Sequence, residues 1–219
     1  EFMANLLKNA GGQRLGIEAS AGVAQREPKK GEHAEESEAD QGHEGDPHFW
    51  LDPSNVIKYV ENIRNGLSKA DPEGAATYLA NAAAYSARLQ ELDRWIRDRV
   101  TEIPAADRLL VTNHESLGYF VDRYGFKIIG TVMPSVSTGS TPSAQQLGAL
   151  IDHIKATGAK AIFLETGTNP RLADQVAKET GSKVVTQLYS HSITDANGPA
   201  PTYIEMMKSN TDAIITGLK

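Results

Sequence analysis

RLLVTNHESLGYFVDRYGFKIIGT, which spans residues 108–131, sets two short apolar runs on either side of an amphipathic segment. Residues 109–112 and 127–131 predict strands, and residues 117–124 between them predict a helix. Two strands joined through a helix are expected to lie parallel in one sheet, with the helix against a face of that sheet.

The same alternation continues to the end of the chain. Helices are predicted at residues 145–157, 172–180 and 201–218, with strands at residues 161–164 and 183–186. This pattern is typical of the α/β class, in which a small parallel sheet is covered by helices on both faces. Ligands of such sheets usually bind at the carboxyl ends of the strands.

Two further helices are predicted before this region. One starts at the Asp52-Pro53-Ser54 cap and runs to about residue 67, and the other follows Asp71-Pro72 and runs to about residue 100. The second helix would span on the order of 40 Å. It therefore either connects two lobes or packs along a single domain.

The front of the chain has weaker patterns. Residues 2–9 predict a short helix, and residues 14–17 predict a strand that has no nearby partner in sequence. Residues 26–47 are almost entirely polar and acidic and include His33 and His43, so we expect a mobile loop there. This loop either captures metal transiently or only increases solubility.

Composition limits the kinds of ligand. The chain has 219 residues, a net charge of −6 and no cysteine. The negative charge argues against nucleic acid as a partner. Without cysteine, a transition metal must be held by His, Asp, Glu or water. The sequence has no run of 18 apolar residues and no leader pattern at its start, so neither a spanning helix nor a retained signal peptide is expected.

Three histidines stand beside predicted elements. His114 follows the strand at residues 109–112, His191 follows the strand at residues 183–186, and His48 lies where the acidic loop meets packed residues. They either ligate a metal, with Asp46 or Glu115 accepting from the second ring nitrogen, or serve as helix caps and hydrogen-bonding groups.

Two other residues are interpreted mainly as structural. His153 is expected to be a solvated residue of the helix at 145–157. Glu165 follows the strand at 161–164 and is expected to support the ligands or cap the next helix rather than to bind metal directly.

The motifs give little support to an enzymatic function. The sequence contains no GxSxG turn, P-loop, GxGxxG or HExxH motif. A zinc-dependent hydrolase stays an alternative, with Glu115 or Glu165 as its general base. A metal-bound surface adhesin is a third hypothesis.

Three motifs resemble one family. DPHFWLDP at 46–53, TNHESLGYFVDRYGF at 112–126 and AIFLETGTNP at 161–170 resemble the zinc/manganese solute-binding proteins of ABC importers, of the ZnuA and TroA type. The resemblance implies an extracytoplasmic protein, not an enzyme, that hands a divalent metal to a membrane permease. It also implies two α/β lobes, formed by residues 1–74 and 105–219, with the helix at 75–101 between them.

The resemblance assigns the metal ligands too. It implies that His48 is a ligand from the amino-terminal lobe and His114 a ligand from the carboxyl-terminal lobe. At the position of His191 relatives commonly have Asp, and imidazole in place of a carboxylate favours Zn²⁺ over Mn²⁺. Iron is not distinguished from these.

The resemblance predicts a truncated amino-terminal lobe. Relatives carry further βα units there with one more histidine ligand, and nothing in this sequence matches them. We therefore expect weaker metal binding than in an intact relative. The partnerless strand at residues 14–17 suggests a dimer that exchanges this segment.

Overall fold

The computed structural model describes Leu6, Asn9 and residues 15–26, 45–133 and 142–219. Its helices and strands are, in chain order, α1 (Pro53–Ala70), α2 (Ala75–Val100), β1 (Leu109–Thr112), α3 (Gly118–Tyr124), β2 (Lys127–Thr131), α4 (Ala144–Thr157), β3 (Ala161–Glu165), α5 (Arg171–Thr180), β4 (Lys183–Leu188) and α6 (Tyr203–Leu218). The predicted alternation of strands and helices is confirmed, with β3 and β4 one and two residues longer than the sequence indicated.

The four strands form one parallel sheet in the order β2-β1-β3-β4. The chain leaves β1 for β2 on one side and then crosses back to β3 on the other side. This reversal makes the gap between β1 and β3 the switch point of the sheet, where ligands of parallel sheets usually bind at the carboxyl edge.

Helices cover both faces because side chains of the strands alternate. Leu110 and Phe163 belong to the core that the sheet shares with α2, α3 and α6. Their neighbours in each strand, Val111 and Ile162, belong to the core under α4 and α5. Strands buried on both faces have no polar side, which explains why the sequence shows continuous apolar runs here.

Local capping signals set the helix ends. The side chain of Asp52 accepts a hydrogen bond from the backbone nitrogen of Ser54 at 2.7 Å, and Pro53 occupies the first turn of α1. Ser143 and Gln146 form a capping box at the start of α4. Helix α4 ends at Gly158, whose φ of 72° is a left-handed conformation that glycine adopts without steric cost.

Helix α2 has 26 residues and is about 39 Å long. Its buried residues lie in its second half, at Leu89, Leu92, Ile96 and Val100. Helix α2 also packs against α1. The predicted long helix is therefore present, and its role as a connection between two lobes stays a prediction.

The predicted strand at residues 14–17 is wrong for residues 15–17, which have no regular secondary structure. Ile17 instead packs onto α1, where a Cβ atom added at Gly66 would lie 2.4 Å from Cδ1 of Ile17. The Asn62 side chain of α1 donates hydrogen bonds of 2.9 Å to the backbone oxygens of Ala19 and Ala21. Because residues 15–17 form no strand, the swapped dimer loses the observation that suggested it.

The helix predicted at residues 2–9 and the loop predicted at residues 26–47 lie partly outside the described residues. Of the predicted helix at residues 2–9, only Leu6 and Asn9 are described, and both are helical. Residues 27–44, with His33 and His43, are outside the described part of the chain. No helix among the described residues combines the length and the apolar character needed to cross a bilayer.

Candidate metal site

His48 is held by a compact turn ahead of α1. It lies directly before the 3-10 turn Phe49–Leu51 and is 2% exposed. The carboxylate of Asp46 accepts hydrogen bonds from the backbone nitrogen of His48 at 2.9 Å and from its Nδ1 at 2.8 Å. Since this contact places the ring proton on Nδ1, the Nε2 lone pair is left to bind a metal. Of the two acceptors that the sequence offered, Asp46 is the one facing His48.

His114 lies two residues beyond β1, at the switch point of the sheet. The hydroxyl of Thr112 donates to the backbone oxygen of His114 at 2.9 Å and so fixes the turn. The His114 ring is 1% exposed, and its Nδ1 lies 3.2 Å from Oε2 of Glu165, whereas its Nε2 makes no hydrogen bond among the described residues. A buried ring nitrogen without a partner is costly. A metal ion bound to one nitrogen removes part of that cost.

His191 comes from the loop after β4. Its Nδ1 lies 2.7 Å from the hydroxyl oxygen of Ser190, and its side chain is 49% exposed. Burial lowers the pKa of His191 below its usual range. The carboxylate of Glu165 raises this pKa, and the imidazoles of His48 and His114 lower it. The ring is therefore neutral near pH 7, as a metal ligand must be.

The three histidines meet at one point. Each offers a nitrogen, and these nitrogens lie within 4.8 Å of one another. The ring centroids are 5.4 Å apart for His48 and His114, 5.2 Å for His48 and His191, and 5.5 Å for His114 and His191. Tetrahedral zinc would need these nitrogens about 3.4 Å apart.

Glu165, the last residue of β3, lies behind two of these rings. Its Oε2 is 3.2 Å from Nδ1 of His114 and 3.9 Å from Nδ1 of His191, and its Oε1 accepts from the hydroxyl of Ser116 at 2.9 Å. Burial would raise the pKa of Glu165, but His114 and the Ser190 and Ser116 hydroxyls lower it to about 2. This charged carboxylate is placed to orient the imidazoles.

The remaining predicted residues are placed as follows. His153 is exposed on α4, as expected. Glu115 is buried beside His114 in the chain. The contacts of Ser116 and Ser190 were missed, since no sequence pattern shows which hydroxyl meets which carboxylate or ring.

Comparison with known proteins identifies the family. The model of the family described as "Zinc-uptake complex component A periplasmic" (ZnuA) matches residues 1–217. This chain belongs to the ZnuA family. The predicted family and extracytoplasmic location are thereby confirmed.

Individual relatives are named for different metals. The manganese-binding lipoprotein MntA of Halalkalibacterium halodurans is 39% identical over 173 residues, which are 79% of this chain and 57% of that protein. The iron-binding protein YfeA of Yersinia pestis is 37% identical over 171 residues, which are 78% of this chain and 54% of that protein. The chain thus spans little more than half the length of these relatives.

Among solved structures, the periplasmic zinc binding protein TroA from Treponema pallidum is similar, with a TM-score of 0.82 and 27% identity. The match covers 99% of this chain and 76% of that chain. It confirms the predicted α/β fold class.

Proposed function

We propose that this chain captures a divalent transition metal outside the cytoplasm and delivers it to the permease of an ABC importer. The observation that carries the proposal is the meeting of His48, His114 and His191, two of them buried, at the carboxyl edge of a parallel sheet. Membership of a family of periplasmic metal-uptake components supports the role. The ligand set from the sequence is thus retained as a proposal.

Zinc is the metal that this ligand set fits best. Zinc accepts three imidazoles in a tetrahedral arrangement, whereas manganese prefers carboxylate and other oxygen ligands. The lowered pKa of His191 keeps the third imidazole neutral and ready to bind. Relatives named for manganese and iron make those two metals the comparison that a test must include.

The two-lobed arrangement is part of the proposal. Residues 1–74 would belong to the amino-terminal lobe, residues 75–101 to the connecting helix and residues 105–219 to the carboxyl-terminal lobe. The buried residues of α2 all lie in its second half, and this supports the division. His48 would then face His114 and His191 across a cleft.

Capture without turnover is favoured over hydrolysis by the state of Glu165. A zinc hydrolase needs a general base that is free to take a proton from bound water. Both oxygens of Glu165 already face other groups, Ser116 at 2.9 Å and His114 at 3.2 Å. The pKa of about 2 also makes this carboxylate a poor base.

The test is a competitive titration of the metal-free chain with zinc, manganese and iron(II), with bound metal counted by elemental analysis. The variants are His48→Ala, His114→Ala and His191→Ala, and the matched control is His153→Ala, which removes an exposed histidine of α4. We expect one zinc per chain in the parent and the control, and a loss in each of the three variants. A parent that binds no metal, or variants that bind like the parent, would contradict the site.

Turnover is measured in the same samples. Zinc-loaded chain is incubated with model esters and phosphate esters, and we expect no metal-dependent hydrolysis. Hydrolysis that requires zinc and Glu165 would establish the enzymatic alternative instead.

A further inference from the structure

Trp50 lies beside two of the proposed ligands. Its ring centroid is 5.4 Å from that of His48 and 5.8 Å from that of His191. The indole Nε1 donates a hydrogen bond of 2.8 Å to the backbone oxygen of Ser190, the residue before His191. Trp50 therefore joins the turn that carries His48 to the loop that carries His191.

The backbone of Trp50 is itself fixed. The hydroxyl of Tyr203, at the start of α6, donates to the backbone oxygen of Trp50 at 2.7 Å. The turn before α1 and the helix that ends the chain thus hold each other beside the site. An indole held in this way presents its N–H group in one place.

The His191 loop is firmly held only up to Tyr189. Asn210 of α6 accepts from the backbone nitrogen of Tyr189 and donates to its backbone oxygen, both at 2.8 Å. After His191, the next described backbone hydrogen bond joins Thr194 to Ala200 within the loop itself, at 2.9 Å. The hydrogen bond from Trp50 to Ser190 is thus the last contact that fixes the backbone before His191, whose imidazole is half exposed.

We propose that Trp50 is a positioning residue for His191, an inference that rests on the proposed function. Without the indole N–H, the Ser190 carbonyl loses its partner and the His191 ring samples positions away from the other two imidazoles. Metal binding must then include the free energy cost of fixing that ring in place. The loss of one such hydrogen bond corresponds to roughly 2- to 12-fold weaker binding.

The test compares Trp50→Phe with Trp95→Phe. Phenylalanine keeps an aromatic ring at position 50 but removes the N–H donor. Trp95 lies on α2, where Arg99 and Lys208 contact its ring, and is the only other tryptophan in the sequence. Zinc affinity is measured by chelator competition. We expect a loss in Trp50→Phe within the range given above and no change in Trp95→Phe.

Two further readouts separate positioning of His191 from a general structural effect. In a His191→Ala background, adding Trp50→Phe should leave the remaining zinc affinity unchanged, because the ring it positions is gone. In the metal-free full chain, hydrogen exchange of the backbone amides at residues 190–193 should be faster in Trp50→Phe than in the parent, and unchanged in Trp95→Phe. The exchange measurement also covers the case in which His191→Ala binds zinc too weakly to titrate.

The outcomes are distinct. If the parent binds zinc tightly and Trp50→Phe matches it in affinity and exchange, the positioning role is overturned and the proposed function stands. If the affinity loss persists undiminished in the His191→Ala background, Trp50 does not act through His191. If the parent binds no zinc, the proposed function fails, and the role of Trp50 fails with it.

Discussion

Asp46→Asn tests whether the carboxylate beside His48 determines how tightly metal is held. Asp46 is 4% exposed, and its Oδ1 accepts from two nitrogens of His48, at 2.8 and 2.9 Å. An amide of the same shape keeps an oxygen acceptor but loses the charge that strengthens the bond and raises the basicity of Nε2. We expect roughly 10- to 100-fold weaker zinc binding, equivalent to about 1.4–2.7 kcal/mol.

The assay is chelator competition on the parent, Asp46→Asn and Asp152→Asn. Asp152 is exposed on α4, so its variant carries the same change of charge and should bind zinc like the parent. Thermal unfolding of the metal-free proteins checks that Asp46→Asn folds normally. The reasoning is refuted if Asp46→Asn holds zinc as tightly as the parent while His48→Ala does not.

Three further predictions concern stability. Gly118→Ala places a Cβ atom 2.6 Å from Oδ2 of Asp46. Alanine favours helices, but this close contact outweighs that preference, and we expect the free energy of unfolding in urea to fall by about 1–3 kcal/mol. Phe163→Ala empties a fully buried position, and the same assay should show a loss of about 3–5 kcal/mol. Burial raises the pKa of Asp93, but hydrogen bonds, led by that from Arg123, lower it below the usual value. The stability that Asp93 contributes is therefore complete above about pH 4 and lost as pH falls further, so Asp93→Asn should lower the Tm more at pH 7 than at pH 3.

The sheet and two of the proposed ligands were predictable because strand patterns and parallel geometry act together. His114 and His191 follow separate apolar runs, and the carboxyl ends of parallel strands meet at one edge. His48 approaches this edge from a turn outside the sheet. Spacing alone contains no signal for that approach, and it was the resemblance to a known family that assigned His48 as a ligand.

The failed strand at residues 14–17 shows where sequence patterns lose their meaning. Leu15 and Ile17 alternate with smaller residues as strand residues do. The structure, however, shows no strand at residues 15–17, and Ile17 packs against Gly66 of α1, which lies far along the sequence. The hydrogen bond from Ser116 to Glu165 was unpredictable for a related reason, because it depends on the spacing between strands that only the folded sheet defines.

The supply of each proposed ligand by a different loop has an evolutionary consequence. His191 lies in a strand-end loop and is half exposed, so a substitution at position 191 can change the chemistry of one ligand while both packed faces of the sheet stay intact. Metal preference can then drift in single steps, each of which leaves a folded protein for selection to act on. A lineage built on such a scaffold can divide among several metals without passing through unfolded intermediates, and relatives named for manganese, iron and zinc are what that history would leave.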